Sequence, residues 1–163
     1  MSNDNISTII YIVGGVIAAF LINQGLALVL NTDMPLVAVE SNSMVPTFYK
    51  GDILVLIGTE AKDLKIGDII VFSVPSQNVP VVHRIIKINI DGSFQTKGDA
   101  NSGQLSFEKN ILKEQIHGKE VAIIPYLGWV KILMTEFIIP NILYVITALI
   151  IGFLGFKAIK RIW

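Results

Sequence analysis

The chain has no cysteine, which excludes disulfides, thiolate zinc sites and a cysteine nucleophile together. Histidine is scarce, with 2 among 163 residues. Neither HExxH nor His-x-His spacing occurs, so a metal site would have to rest on carboxylates, and a metalloenzyme is not expected. An excess of charge is missing as well, because 13 Lys+Arg balance 13 Asp+Glu. No basic field exists to attract nucleic acid. Nothing in the chain calls for a cofactor, and neither a fixed-period repeat nor a low-complexity segment stands out.

What the chain has in abundance is apolar surface. Hydrophobic residues make up 52% of it and the mean hydropathy is +0.63, values that point to a membrane protein. Ile6 to Leu30 is an almost unbroken apolar run, and about 20 such residues suffice to cross a bilayer as a helix. The run lacks a basic flank and exceeds the length of a signal-peptide core, so residues 1–33 are expected to be a retained anchor.

From Met34 onward the texture changes. Short β-prone runs recur at Leu36–Val39, Ile53–Ile57, Ile69–Val74, Val79–Ile90, Ser93–Lys97 and Glu120–Ile124, with Gly-Asp turns between them. Asp91-Gly92 between two of these runs is a strong hairpin signal. Residues 34–126 are therefore expected to form a compact, mostly antiparallel β domain that would carry the chemistry. Residues 127–137 read as an interfacial segment with Tyr126 and Trp129 at headgroup level. Ile138 to Phe156 is a second apolar run of spanning length, followed by Lys157, Lys160 and Arg161. Residues 138–163 thus read as a transmembrane helix with a basic cytoplasmic tail, the alternative being a buried or interfacial helix. Two spans would put both termini in the cytoplasm and the β domain outside it.

Three stretches carry candidate chemistry. Val37-Ala38-Val39-Glu40-Ser41-Asn42-Ser43-Met44-Val45-Pro46-Thr47 begins as a strand and breaks at a hydroxyl-rich turn. Ser43 at the open end of a strand can meet a peptide carbonyl. Ser41, two residues earlier on the same side, can donate to a developing oxyanion. His83 lies mid-strand in Val79-Pro80-Val81-Val82-His83-Arg84-Ile85-Ile86, where alternation sets Val81, His83 and Ile85 on one face. A serine nucleophile needs such a base, whose ordinary pKa lies near neutrality. Asp99 in Thr96-Lys97-Gly98-Asp99-Ala100-Asn101 can orient the imidazole, as the acid does in a Ser-His-Asp triad; an ordinary Gly-Asp turn is the plainer alternative.

SNSMVPT, then KGD, VVHR and KGDAN, in that order behind an N-terminal span, resembles type I signal peptidase. The match is to the archaeal and endoplasmic-reticulum branch, where histidine replaces the bacterial general-base lysine. The resemblance implies a membrane-bound serine endopeptidase that removes signal peptides from secreted preproteins after Ala-x-Ala-like sites. It assigns Ser43 as nucleophile and His83 as general base. It assigns Ser41, with the Ser43 backbone N–H, to the oxyanion hole, and Met44 and Val82 to the pockets for small substrate side chains. Implied partners are signal peptides, the lipid bilayer and the protein translocation machinery. The branch usually has a second acid about six residues after the Gly-Asp aspartate, but Leu105 stands there and Glu108 is the next acid. Asp99 is the favoured third member; Glu108 reaching back through a shifted loop, or no third member, are the alternatives. A non-catalytic membrane subunit or degenerate paralogue, and a self-cleaving membrane-anchored peptidase, are the rival functions. Lys87, more than 12 Å along the strand from His83 when extended, is a poor substitute base for the latter.

Overall fold

A computed structural model describes residues 3–144, 146–148, 150–151 and 157. Helix α1 runs from Asn3 to Val29. Its apolar stretch Ile6–Val29 is 24 residues long and none of its residues is buried within the chain. At 1.5 Å per residue such a stretch is about 36 Å long, enough for a hydrocarbon core of about 30 Å. It is apolar all round, which is costly in water, and its length and composition fit a membrane anchor.

Among the described residues the strands form one antiparallel sheet. Strands β1 (Leu36–Ala38), β2 (Ile53–Ile57), β3 (Ile69–Phe72), β4 (Val81–Ile88), β5 (Phe94–Lys97) and β6 (Ile116–Ile124) lie side by side in the order β1-β2-β6-β3-β4-β5. β4 and β5 form the hairpin expected at Asp91-Gly92. Gly92 sits at φ +83°, a conformation that strains side-chain-bearing residues, and the Asp91 carboxylate accepts the Ser93 N–H at 3.0 Å.

The all-apolar sequence of β3 follows from its position. Ile69 and Val71 project into a cluster with Val39, Met44, Phe48, Leu54 and Leu56. Ile70 and Phe72 project the other way, against Leu64, Val74, Ile85, Phe94 and Ile111. Period-2 alternation thus feeds two apolar cores from one strand. Each large side chain removed from water contributes about 1.5–3 kcal/mol. His83 pairs in register with Ile70 and faces the second of these cores, which sets where the chemistry stands.

After β6 the chain turns through Pro125–Gly128 into α2 (Trp129–Ile132) and a wider π-helical turn, Leu133–Ile138. Ile132 is fully buried. Lys50 pairs with Glu136 at 3.0 Å and Lys131 with Glu40 at 2.9 Å, while the Lys50 ammonium lies 5.9 Å from the Trp129 ring centroid. These contacts dock the segment beside the Ser41–Gly51 loop. Among the described residues no second helix reaches spanning length: Trp129–Ile138 and Ile142–Ala148 are short and bent by 86°. The span expected over Ile138–Phe156 runs onto residues outside the described set, as do Lys160 and Arg161.

Candidate active site

The loop after β1 is pinned at both ends. Val39 N–H donates to the Asp52 carbonyl and Gly51 N–H to the Val39 carbonyl, each at 2.9 Å. The Asn42 side-chain oxygen accepts the Lys50 N–H at 2.9 Å across the loop. Met44 and Phe48 drop into the first apolar core. Between these anchors Ser43 is half-buried and turned toward β4. Its Oγ lies 3.0 Å from His83 Nε2 and 3.2 Å from Ser41 Oγ.

On the far side of the ring, His83 Nδ1 bonds the Glu108 carboxylate. Glu108 is fully buried, and an ionised carboxylate there is tolerable only if its oxygens are well satisfied. They are. One oxygen takes His83 and the Thr96 hydroxyl at 3.3 Å, and the other accepts the Leu105 N–H at 2.6 Å. An acceptor-only carboxylate at Nδ1 dictates the Nδ1–H tautomer and leaves the Nε2 lone pair for the Ser43 proton. The arrangement can remove a proton from a serine hydroxyl and hold the resulting imidazolium.

Asp99 is placed elsewhere. Its carboxylate takes Arg84 Nε at 2.9 Å, Arg84 Nη2 at 2.6 Å and the Thr47 hydroxyl at 2.5 Å. Strand alternation is the reason. Arg84 follows His83 and therefore projects from the opposite face of β4, so an acid bound to Arg84 is turned away from the imidazole. Hydrogen bonding to Arg84 is the main cause holding the Asp99 carboxyl below its ordinary range, and the same bond raises Arg84. The expectation that Asp99 orients His83 is corrected accordingly: Glu108 holds that position, and Asp99 fastens the serine loop, through Thr47, to β4.

The turn carrying Asp99 touches the site through its backbone. Ala100 N–H donates to the Ser43 carbonyl at 2.8 Å. A Cβ at Gly98 would meet that carbonyl oxygen at 2.7 Å and His83 Nε2 at 2.8 Å. No larger residue fits there without moving the pair. Met44 is also corrected. With 1% exposure it is a core residue beneath Ser43, its sulfur taking the Asp99 N–H at 3.4 Å, and it does not line the groove.

That groove has a volume of about 530 Å³ and opens onto Ser43 and His83; Val37, Val39, Val82 and Leu105 form apolar parts of its wall. Val82, with Val81 and His83, lines the groove from β4. Sequence reasoning ranked Glu108 second, and it missed the Arg84–Asp99–Thr47 staple. An acid three residues beyond Leu105 is spaced to reach back to the Leu105 N–H across one turn, and that spacing was the available signal.

A family model described as signal peptidase, peptidase S26, matches residues 8–91. The signal peptidase complex catalytic subunit SEC11C of Rattus norvegicus is 35% identical over 140 residues, covering 80% of this chain and 72% of its own. The same figures hold for SEC11C of Homo sapiens. The catalytic subunit SEC11 of Scheffersomyces stipitis is 37% identical over 128 residues, 73% of this chain and 76% of its own. With the match spanning anchor, serine loop and His83 strand, the chain belongs to the signal peptidase family, peptidase S26.

Proposed function

We propose that this chain is a membrane-anchored serine endopeptidase that removes signal peptides, with Ser43 as nucleophile, His83 as general base and Glu108 as the orienting acid. The observation that carries the assignment of roles is the hydrogen-bonded line Ser43–His83–Glu108 opening into an apolar groove. Ser43 Oγ attacks the scissile carbonyl carbon while His83 Nε2 takes the hydroxyl proton. Glu108 stabilises the imidazolium so formed. Ser41 Oγ and the Ser43 N–H are the donors assigned to the oxyanion. As the C–N bond breaks, His83 returns its proton to the leaving amine, and water, deprotonated by the same ring, then hydrolyses the ester on Ser43.

An extended peptide puts its −1 and −3 side chains on one face. Val37, Val39 and Val82 leave shallow space there, which supports a preference for small residues at both positions. The remaining assignments concern the membrane. Residues 34–126 form the extracytoplasmic catalytic domain, residues 127–137 lie at the interface, and residues 138–163 complete a second span with a cytoplasmic tail. Substrates arrive from the translocation machinery already held in the bilayer. The exposed Leu127, Val130, Leu133 and Phe137 support the interfacial placement.

The test is cleavage of a preprotein in proteoliposomes. The wild-type chain releases the mature product, and Ser43→Ala does not. Equal release by both would remove Ser43 from the mechanism, and no release by either would leave a non-catalytic subunit. For topology, protease outside sealed cells should cut at Ala61–Lys65 while a tag after Trp163 stays protected; a digested tag would refute two spans.

A further inference from the structure

A second cluster of serine, histidine and acid stands where the anchor meets the sheet. Because no residue in the apolar stretch of α1 is buried against the rest of the chain, the orientation of the sheet relative to the anchor depends on residues 30–35. The Leu30 carbonyl accepts the Gly58 N–H at 2.8 Å, and the Pro35 carbonyl accepts the Leu56 N–H at 3.0 Å. Between these two bonds, the Thr32 hydroxyl donates to the His117 carbonyl at 2.7 Å. The Asp33 carboxylate takes His117 Nδ1 at 2.9 Å. His117 Nε2 meets Ser73 Oγ at 2.7 Å, tying β6 to the chain leaving β3.

Ser73, His117 and Asp33 are the residue types of a hydrolytic relay, but the cluster is not built as a second active site. Neither Ser73 nor His117 lines the groove, and the Asp33 side chain is 65% exposed. What the cluster joins is the first turn after the anchor and two strands of the sheet.

We infer that His117 is a positioning residue for the reaction. Clamped between Asp33 and Ser73, it sets the angle at which the sheet, and with it Ser43, stands over the membrane anchor. The consequence rests on the peptidase reading above, because only a substrate held in the bilayer senses that angle. An extended chain advances about 3.3 Å per residue, so displacing Ser43 by that distance presents the neighbouring bond. A soluble peptide diffuses into the groove and is indifferent to the joint.

The experiment compares two substrates in proteoliposomes: a bilayer-held preprotein and a short soluble peptide bearing the same cleavage site. His117→Ala should lower kcat/KM at least fivefold on the preprotein, or move the cut by one residue, and stay within twofold on the peptide. Asp33→Ala, at an exposed position, should act in the same direction. His117→Asn keeps a donor near the Nδ1 position and should recover part of the loss. Because the chain has no native cysteine, spin labels at Gln24→Cys and Lys87→Cys report the joint without catalysis. Their distance distribution should be narrow in the otherwise wild-type chain and broad with His117→Ala. Equal losses on both substrates, or an unchanged distribution, would overturn the inference. Failure of the unmutated chain on both substrates would refute the peptidase reading instead, and the label distances would still decide the joint.

Discussion

Glu108→Gln keeps the size of the side chain and removes its charge, so it isolates what the buried carboxylate does for His83. The imidazolium formed in the transition state lies beside this carboxylate with charge centres about 4 Å apart; at an effective dielectric of about 20 the attraction is about 4 kcal/mol. At 1.36 kcal/mol per tenfold, losing it slows turnover by about 10³. The amide adds a second cost whichever way it faces. With its NH₂ toward Nδ1 it selects the wrong tautomer, and Nε2 can no longer accept the Ser43 proton. With its oxygen toward Nδ1 the NH₂ confronts the Leu105 N–H, now accepted by Glu108 at 2.6 Å, and a buried donor left unpaired costs about 1–3 kcal/mol. The combined expectation is a fall of about 10⁴–10⁵ in kcat, whose lower end matches the loss of about 10⁴ on removing the acid's charge from another serine protease triad. The assay is steady-state cleavage of a signal-peptide substrate, with Tm recorded alongside. Activity within a few-fold of wild type would refute the role of Glu108, and a thousandfold loss in Asp99→Asn at unchanged Tm would return the role to Asp99.

Asp99→Asn should act mainly on stability. Arg84 holds the Asp99 carboxyl below its ordinary range, so its contribution is complete above the unfolded aspartate value of about 3.9 and is lost as pH falls through the lower folded value. The variant should be about 1–2 kcal/mol less stable at neutral pH, a difference that closes in acid; thermal melts whose gap is the same at every pH would contradict the pairing. Gly98→Ala should cost at least a hundredfold in turnover, because the new methyl presses on both the Ser43 carbonyl and the His83 ring; normal kinetics would mean that the turn yields freely.

Much of this protein was legible in one dimension because the relevant physics is local. Apolar length alone marks α1. The hydroxyl-rich break after Val39 marks the end of a strand, and Asp91-Gly92 marks a hairpin that closes with Gly92 at positive φ. Alternation put His83 and Ile85 on one face of β4, and both are buried there. The first half of β6 escaped because Ile116-His117-Gly118-Lys119 has none of the β-branched density of its second half, although it pairs with β3. Tertiary structure alone decided which acid reaches the imidazole. Counting residues from Asp99 arrives at Leu105, but the turn Ser106–Lys109 folds the Glu108 carboxylate back onto the Leu105 N–H and beneath His83. Asp99, nearer in sequence and on a more familiar motif, is drawn off by Arg84 on the other face of the same strand. A side chain's spacing along the chain says which turn it belongs to, whereas the charge that meets it is set by packing between segments far apart in sequence.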